Sequence, residues 1–309
     1  MRAPGRSALV LPQRDPPARP ELAVLYNVAG RASLSEEGQV IFEGIQDTLS
    51  RNAYRFTLVP LITEGDLLSP RSERSVAVKD VPSLVGRFGA FLFIEGTDAI
   101  EEILSIQSRR VPVVVANLEQ PDVETCSTWV DHRKTTMEAV NILASMGHKR
   151  IAYIGTDPQY NFYAKTLDGF RQGMARAGLV VDEGLVAICI KTDSFPAYIL
   201  AREFFKRAEP PTGIVCARDE HAGGACQAAT EAGRVVGRDV SIIGFGALGD
   251  WAADPVLTTF REPAYELGAG AAEMLIDQVT NGWRPPERRE FEPRLLLRRS
   301  VGPLLEPHP

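Results

Sequence analysis

Apolar positions along the chain fall into two alternating patterns. Short, β-branched or aromatic runs give way to longer stretches in which apolar residues recur at helical spacing. Continuous apolar runs bounded by polar turns are what strands buried on both faces require, and the intervening periodicity is that of amphipathic helices. Leu22–Tyr26, Arg55–Pro60, Ala90–Ile94 and Val113–Ala116 are therefore predicted strands. Ser35 is a good N-cap for a helix running to about Asn52, with Val40, Ile41, Ile45 and Leu49 on one face. A second helix is expected near Ala99–Ser108, while Thr63–Asp80 is polar and irregular. Strands alternating with helices in this way form a parallel, doubly wound unit.

After Asn117–Trp129 the pattern restarts. A helix is predicted from about Arg133 to Met146, its apolar face supplied by Met137, Val140, Ile142 and Leu143, with Gly147 placed to end it in a left-handed cap. Ile151–Gly155, Leu185–Ile190, Gly213–Ala217 and Val240–Phe245 read as strands, with helices around Tyr163–Ala177, Phe195–Arg207 and Gly223–Ala232. A last helix at Pro263–Thr280 and a last strand at Arg294–Arg299 have to join sheets already built. The chain is thus two consecutive α/β halves without a visible internal repeat. Residues 1–20, with Pro4, Pro12, Pro16, Pro17 and Pro20 among several arginines, read as a tail or linker, and 303–309 as a second short tail.

Composition narrows the class. At 309 residues, with 44% hydrophobic and 24% charged residues, the chain has a soluble-globular balance and the length for two domains. A net charge of −6 argues against a broad basic face for nucleic acid. Apolar runs such as Val111–Ala116 are far shorter than the ~20 residues a bilayer span needs. Cys126, Cys189, Cys216 and Cys226 lack C-x-x-C spacing, and three of them, in or beside apolar runs, read as small core residues in a reducing compartment. Ser7–Leu11 is too short for a signal h-region, so a cytoplasmic location is expected.

Catalytic patterns are missing. There is no G-x-S-x-G, H-E-x-x-H, P-loop, or G-x-G-x-x-G after the first strand. His132, His148, His221 and His308 have no ligand spacing, and His148, just past Gly147, reads as structural. No catalytic residue, metal or cofactor is assigned; an enzyme using Asp131, Asp219 and Lys165 as acid/base groups is a minor alternative.

Three segments are more specific. They are Gly147-His148-Lys149-Arg150-Ile151-Ala152-Tyr153-Ile154-Gly155; Asp239-Val240-Ser241-Ile242-Ile243-Gly244-Phe245 after Glu231-Ala232-Gly233; and Pro255-Val256-Leu257-Thr258-Thr259-Phe260, with Arg298-Arg299-Ser300 closing the core. In this order and spacing they resemble the effector-binding core of the lactose/galactose (LacI/GalR) repressor family, over about residues 21–301. The resemblance implies a periplasmic-binding-protein-like fold of type I. Two α/β subdomains, 21–128 plus 261–288 and 129–260 plus 289–302, would be joined by three crossovers near Trp129, Phe260 and Glu290. It implies a homodimer that binds a small-molecule effector in the cleft between the subdomains.

Ligands of open α/β sheets lie beyond the carboxyl ends of the strands, which makes Asn27, Glu95 and Asn117 cleft candidates, or plain loop residues. Asp131 matches the family's aspartate after the first crossover, and is equally placed to cap the helix that follows. Asp219 matches the acid ending a second-subdomain strand; Arg218 beside it stands where Asn is commoner. Phe162 and Trp251 are candidates to stack on a ring, and Phe245 belongs to the Gly-aromatic pair of the Asp239–Phe245 segment.

Departures matter as much. Where the family clamps its effector with an arginine, three residues before Gly169-Phe170, stands Thr166, with Lys165 beside it. Gly244-Phe245 is followed by Gly246 and Ala247 instead of an acid, and Ser35-Glu36-Glu37-Gly38 replaces an aromatic pair opening the first helix. These changes disfavour an ordinary sugar, and Lys165 with Arg218 suggests an anionic or phosphorylated effector. Family members carry a helix-turn-helix headpiece before this core, and residues 1–20 do not resemble one. The expectation is a sensing core of a transcriptional regulator, whose DNA contact is made through a headpiece outside this chain. The alternative is a free-standing binding protein for a sugar-like small molecule.

Overall fold

The structure is a computed structural model that describes residues 19–27, 34–62, 75–95, 99–120, 122–157, 161–189, 193–246 and 256–304. Two mainly parallel sheets organise it. The first has seven strands in the order β12-β6-β5-β4-β1-β2-β3: β1 (Leu22–Asn27), β2 (Phe56–Ile62), β3 (Val76–Ala77), β4 (Ala90–Ile94), β5 (Val113–Ala116), β6 (Cys126–Trp129) and β12 (Arg288–Glu290). The second has six, in the order β13-β11-β10-β9-β7-β8: β7 (Ile151–Thr156), β8 (Val186–Cys189), β9 (Gly213–Cys216), β10 (Ser241–Gly246), β11 (Thr258–Arg261) and β13 (Arg294–Leu296). Only the β11–β13 pairing is antiparallel among the described ladders. The chain leaves the first sheet after Trp129, returns after Arg261 and leaves again after Glu290.

Both sheets are covered on both faces, which is why their central strands are apolar throughout rather than alternating. Leu22 and Val24 of β1 face α1 (Glu36–Arg51) and α7 (Ala264–Asn281), whereas Ala23 and Leu25 face α2 (Ile100–Ser108). In the second sheet, Ala152 and Ile154 of β7 meet α5 (Ser194–Phe205) and α6 (Asp219–Glu231). Tyr153 turns the other way, to α3 (His132–Ser145) and α4 (Asn161–Arg176). Helices α1 and α7 lie backbone to backbone: a Cβ on Gly44 would strike Tyr265 O, and one on Gly268 would strike Ile41 O. The two helices can approach this closely only because both contact positions are glycine.

Local signals placed most elements. Ser35 Oγ accepts from Gly38 N at 3.0 Å and starts α1, and Gly147, at φ +93°, ends the chain turn after α3 as expected. Three strands escaped the hydrophobic pattern, the two-residue β3 and the polar β6 and β12. The sequence of β12, Arg-Arg-Glu, is polar because it is an edge strand, where the Arg288 guanidinium lies 4.6 Å from the Trp129 ring, whereas β6, Cys-Ser-Thr-Trp, is an interior strand whose short polar side chains are buried. Helix α6 begins at Asp219, earlier than the expected Gly223. The last strand stops at Leu296, short of Arg299, since the following backbone is clipped onto the sheet by Ser300. That hydroxyl donates to Ile242 O at 2.6 Å and accepts from Thr258 N at 2.8 Å.

Candidate functional site

Each sheet has one point where successive connections wind in opposite directions. In the first it lies at β1, flanked by β2 and β4; in the second at β7, flanked by β8 and β9. A crevice opens beyond the carboxyl ends of the strands at such a point. Charged residues from both sheets meet there.

On the first sheet, Glu95 and Asn117 follow β4 and β5 directly, and both adopt left-handed backbone, at φ +53° and +61°. Asparagine tolerates this conformation; glutamate rarely does, and such positions recur where a chain is held for a purpose. Glu95 N donates to Ala116 O at 3.0 Å, which fixes the turn. Asn117 Nδ2 donates to Glu37 Oε1 at 3.0 Å, across to the first turn of α1. Asn27, the last residue of β1, is partly exposed at the same edge. Burial, then the neighbouring charges of Glu95 and Glu262, push the Glu37 carboxyl up to about 7 against the pull of Arg218 and His132. Glu37 therefore stands within electrostatic reach of groups from both sheets.

His132 opens α3, where the chain has just left the first sheet. Its Nδ1 lies 2.6 Å from Glu119 Oε2, its backbone N donates to Glu119 Oε1 at 3.1 Å, and its Nε2 lies 3.4 Å from Glu262 Oε1. Burial alone would lower the imidazole, but Glu262 and Glu119 override it and raise the ring to about 10. With a carboxylate at each ring nitrogen, His132 is the doubly protonated imidazolium. Phe162 meets it edge-on at 4.6 Å and Tyr163 in turn at 4.8 Å, both from the start of α4.

On the second sheet, Arg218 occupies the N-cap of α6 just beyond β9 and pairs with Glu220 at 3.4 Å. Burial opposes its charge, while Tyr163, Glu220 and Glu37 favour it, and the guanidinium is held above its usual range. Asp219, 2% exposed, opens α6 where the helix dipole favours an anion. Gly244 makes room for it, since a Cβ there would collide with Asp219 Oδ1.

The expected site residues separate accordingly. Asn27, Glu95, Asn117, Arg218, Asp219 and Phe162 lie at or beside the facing strand ends. Asp131 caps α3, its side chain accepting from Lys134 N at 2.9 Å, so the capping alternative describes its geometry. Phe245 turns into the core, 3% exposed and stacked 5.3 Å from Phe260, because alternation along β10 points it at the α3–α4 layer. Lys165 is half-buried one turn past Phe162 on α4, and Trp251 lies outside the described residues. Glu37, Glu119, His132, Glu262 and Tyr163 were not anticipated. Glu119 and Glu262 follow strand ends, where the rule that selected Glu95 could have found them; Glu37 and His132 open helices and Tyr163 lies within one, so that rule passes over all three.

Among the described residues, no three His, Cys, Asp or Glu side chains are placed to share a metal ion. His148 is structural, as expected, bonded to Thr212 Oγ1 at 3.2 Å and Gly302 O at 3.1 Å. A cavity of about 570 Å³ lined by Thr57, Val59, Leu84 and Phe88 lies along β2, and none of the charged cluster borders it.

Residues 140–301 match the periplasmic binding protein-like domain family, which takes in more than half of the chain. The chain belongs to that family. All three motif segments that resemble the LacI/GalR repressors lie inside the matched span. The periplasmic-binding-protein-like chain is 28% identical over 267 residues to the HTH-type transcriptional repressor CytR of Escherichia coli K12, covering 85% of this chain and 75% of that one. It is 31% identical over 198 residues to the HTH-type transcriptional repressor PurR of E. coli O1:K1, covering 63% and 57%. Its fold matches that of a LacI family transcriptional regulator from Enterococcus faecium solved with bound ribose, at a TM-score of 0.69 and 23% identity, covering 92% of this chain and all of that one. Both CytR and PurR are transcriptional repressors, not enzymes.

Proposed function

We propose that this chain is the ligand-sensing core of a LacI/GalR-type transcriptional regulator. A small polar molecule binds between the facing strand ends, and the bodies 21–128 plus 261–288 and 129–260 plus 289–302 close on it as a hinge about the three crossovers. Closure alters DNA binding by a separate headpiece, in a homodimer in the cytoplasm. The observation that carries this reading is the meeting of Glu37, from the first sheet's helix, with Arg218 and His132. Charged groups held together at facing strand ends, in a chain related over most of its length to repressors, are what a ligand-sensing cleft requires.

The test is promoter occupancy of the protein expressed from its native locus, with and without a compound that raises the Tm of the purified chain. Occupancy of discrete sites that changes with the compound supports the regulator. Binding of the compound with no DNA occupancy at all favours a free-standing binding protein.

A further inference from the structure

We propose that the first turn of α3 is the pivot about which the two bodies close, and that His132 acts there as a latch favouring the closed arrangement. The inference rests on the reading of the cleft as one that closes, and adds the residues that set how far it stands open. His132 is thus a positioning residue, acting through the arrangement of the sheets. Three observations support it.

The first is where the side chains lie. The chain passes between the sheets after Trp129, after Arg261 and after Glu290. His132 and Lys134, in one turn just past the first passage, reach the other two. His132 Nε2 meets Glu262 of the second passage at 3.4 Å. Lys134 Nζ meets Glu290 and Glu292 of the third at 3.7 and 2.6 Å.

The second is which sheet each partner of His132 follows. Glu119 is held to the first sheet, since Leu118 N beside it donates to Thr128 O of β6 at 2.9 Å. It grips His132 through both the ring and the backbone N, at 2.6 and 3.1 Å. Glu262 follows the second sheet, its backbone N donating to Gly246 O at the end of β10 at 3.2 Å. The imidazolium is fixed to one sheet and faces a carboxylate carried by the other.

The third is that the two contacts are unequal. The Glu119 contact has no room to shorten. Glu262, only 8% exposed, accepts no hydrogen bond at either oxygen among the described residues. A buried carboxylate with unmet acceptors is costly. Bringing the sheets together compresses the line from Glu119 through the ring to Glu262, and only the longer contact can give. A shift of about half an ångström turns that contact into a charge-assisted hydrogen bond. Displacements beside a pivot are small, so a gap of this size is one that closure can span. The Lys134 pairs lie at the surface, where such contacts contribute little.

The test measures the distance between the bodies in the unliganded full chain, by double electron–electron resonance. Spin labels are placed at Glu36, which opens α1, and Ser194, which opens α5; both are exposed and follow strand ends that face each other. Attachment through introduced ketone side chains leaves the native cysteines untouched. His132→Gln and Glu262→Ala should each move the distribution to longer distances. The ratio of closed to open should fall about tenfold, the scale of one charge-assisted hydrogen bond. The first variant strands buried carboxylates and the second removes one, so their stabilities differ while their opening should agree. That agreement separates a latch from a merely structural role. Lys134→Gln should keep the parent distribution. A parent-like distribution in both His132→Gln and Glu262→Ala overturns the proposal. A shift to shorter distances, or an equal shift in Lys134→Gln, overturns it as well. Should His132→Gln fail to fold, Glu262→Ala decides alone, since it removes a carboxylate that this arrangement leaves unmet. The measurement uses no ligand and no DNA, so failure of the latch is distinct from failure of the sensing role, which promoter occupancy reports.

Discussion

His132 Nδ1 lies 2.6 Å from Glu119 Oε2, and this contact ties the start of α3, on the path into the second sheet, to the loop that follows β5 in the first. Glu262, on the return path, closes the arrangement from the other side at 3.4 Å. Two of the three passages between the sheets are thus joined through one imidazolium. Replacing it with a neutral small residue would strand two buried carboxylates. His132→Ala should therefore destabilise the protein by about 3 kcal/mol or more in urea unfolding, and His132→Ala combined with Glu119→Gln should cost less than the sum of the two. A loss within a few tenths of a kcal/mol would mean that the triad contributes nothing to the fold.

Stability of the unliganded chain should decline with alkaline pH, for two reasons of the same sign. Burial, with Glu95 and Glu262, raises Glu37 from 4.5 to about 7, so its contribution is complete below pH 4.5 and is lost as pH rises through 7. Against the opposing effect of burial, Glu262 and Glu119 raise His132 from 6.5 to about 10, so its contribution is complete below 6.5 and is lost as pH rises through 10. Glu37→Gln removes the first effect alone. It should be more stable than the parent at pH 8, by on the order of 1 kcal/mol allowing for screening by cleft water, and should lose that advantage near the unfolded carboxylate range. A variant less stable than the parent at pH 8 would contradict this account of Glu37. Gains in stability on removing a charge from a ligand site are the common trade between binding and folding.

Thr166 stands three residues before Gly169-Phe170, where the resemblance implies an effector-clamping arginine, and the structure shows what occupies that space. Its hydroxyl lies 2.8 Å from Tyr153 OH and donates to Tyr163 O at 3.1 Å, with both Thr166 and Tyr153 fully buried. The position has become part of the α3–α4 core. Thr166→Val keeps the volume and strands the tyrosine hydroxyl, at a cost of about 1–3 kcal/mol. Its effect on ligand affinity should be much smaller than that of Glu95→Gln. A large loss of affinity with unchanged unfolding would return Thr166 to the binding surface.

The doubly wound architecture was legible because its central strands are apolar on both faces and its helices carry their own caps, as Ser35 and Gly147 illustrate. The short β3, the polar interior strand β6 and the edge strand β12 were not, because each is too short or too polar to carry an apolar run. At the site, a strand-end rule located Glu95, Asn117 and Arg218. It could not say that Asp131 turns to its own helix and Phe245 to the core, since both choices depend on which way a side chain leaves the backbone. His132 looked inert because its partners, Glu119 and Glu262, are distant in the chain and carry no spacing pattern. The suggestion of an anionic ligand came from counting Lys165 and Arg218 alone. The acids near Glu37, Glu95 and Glu262, come together with Arg218 and His132 only once the two sheets face each other.

Hydrogen exchange with and without the compound that most raises the Tm addresses the cleft itself. The account predicts added protection at two separated sets of amides together, those following β4 and β5 at 95–119 and those following β9 at 217–222. Protection confined to one set, or found instead along the β2 cavity at 57–59 and 84–88, would contradict a ligand held between the sheets.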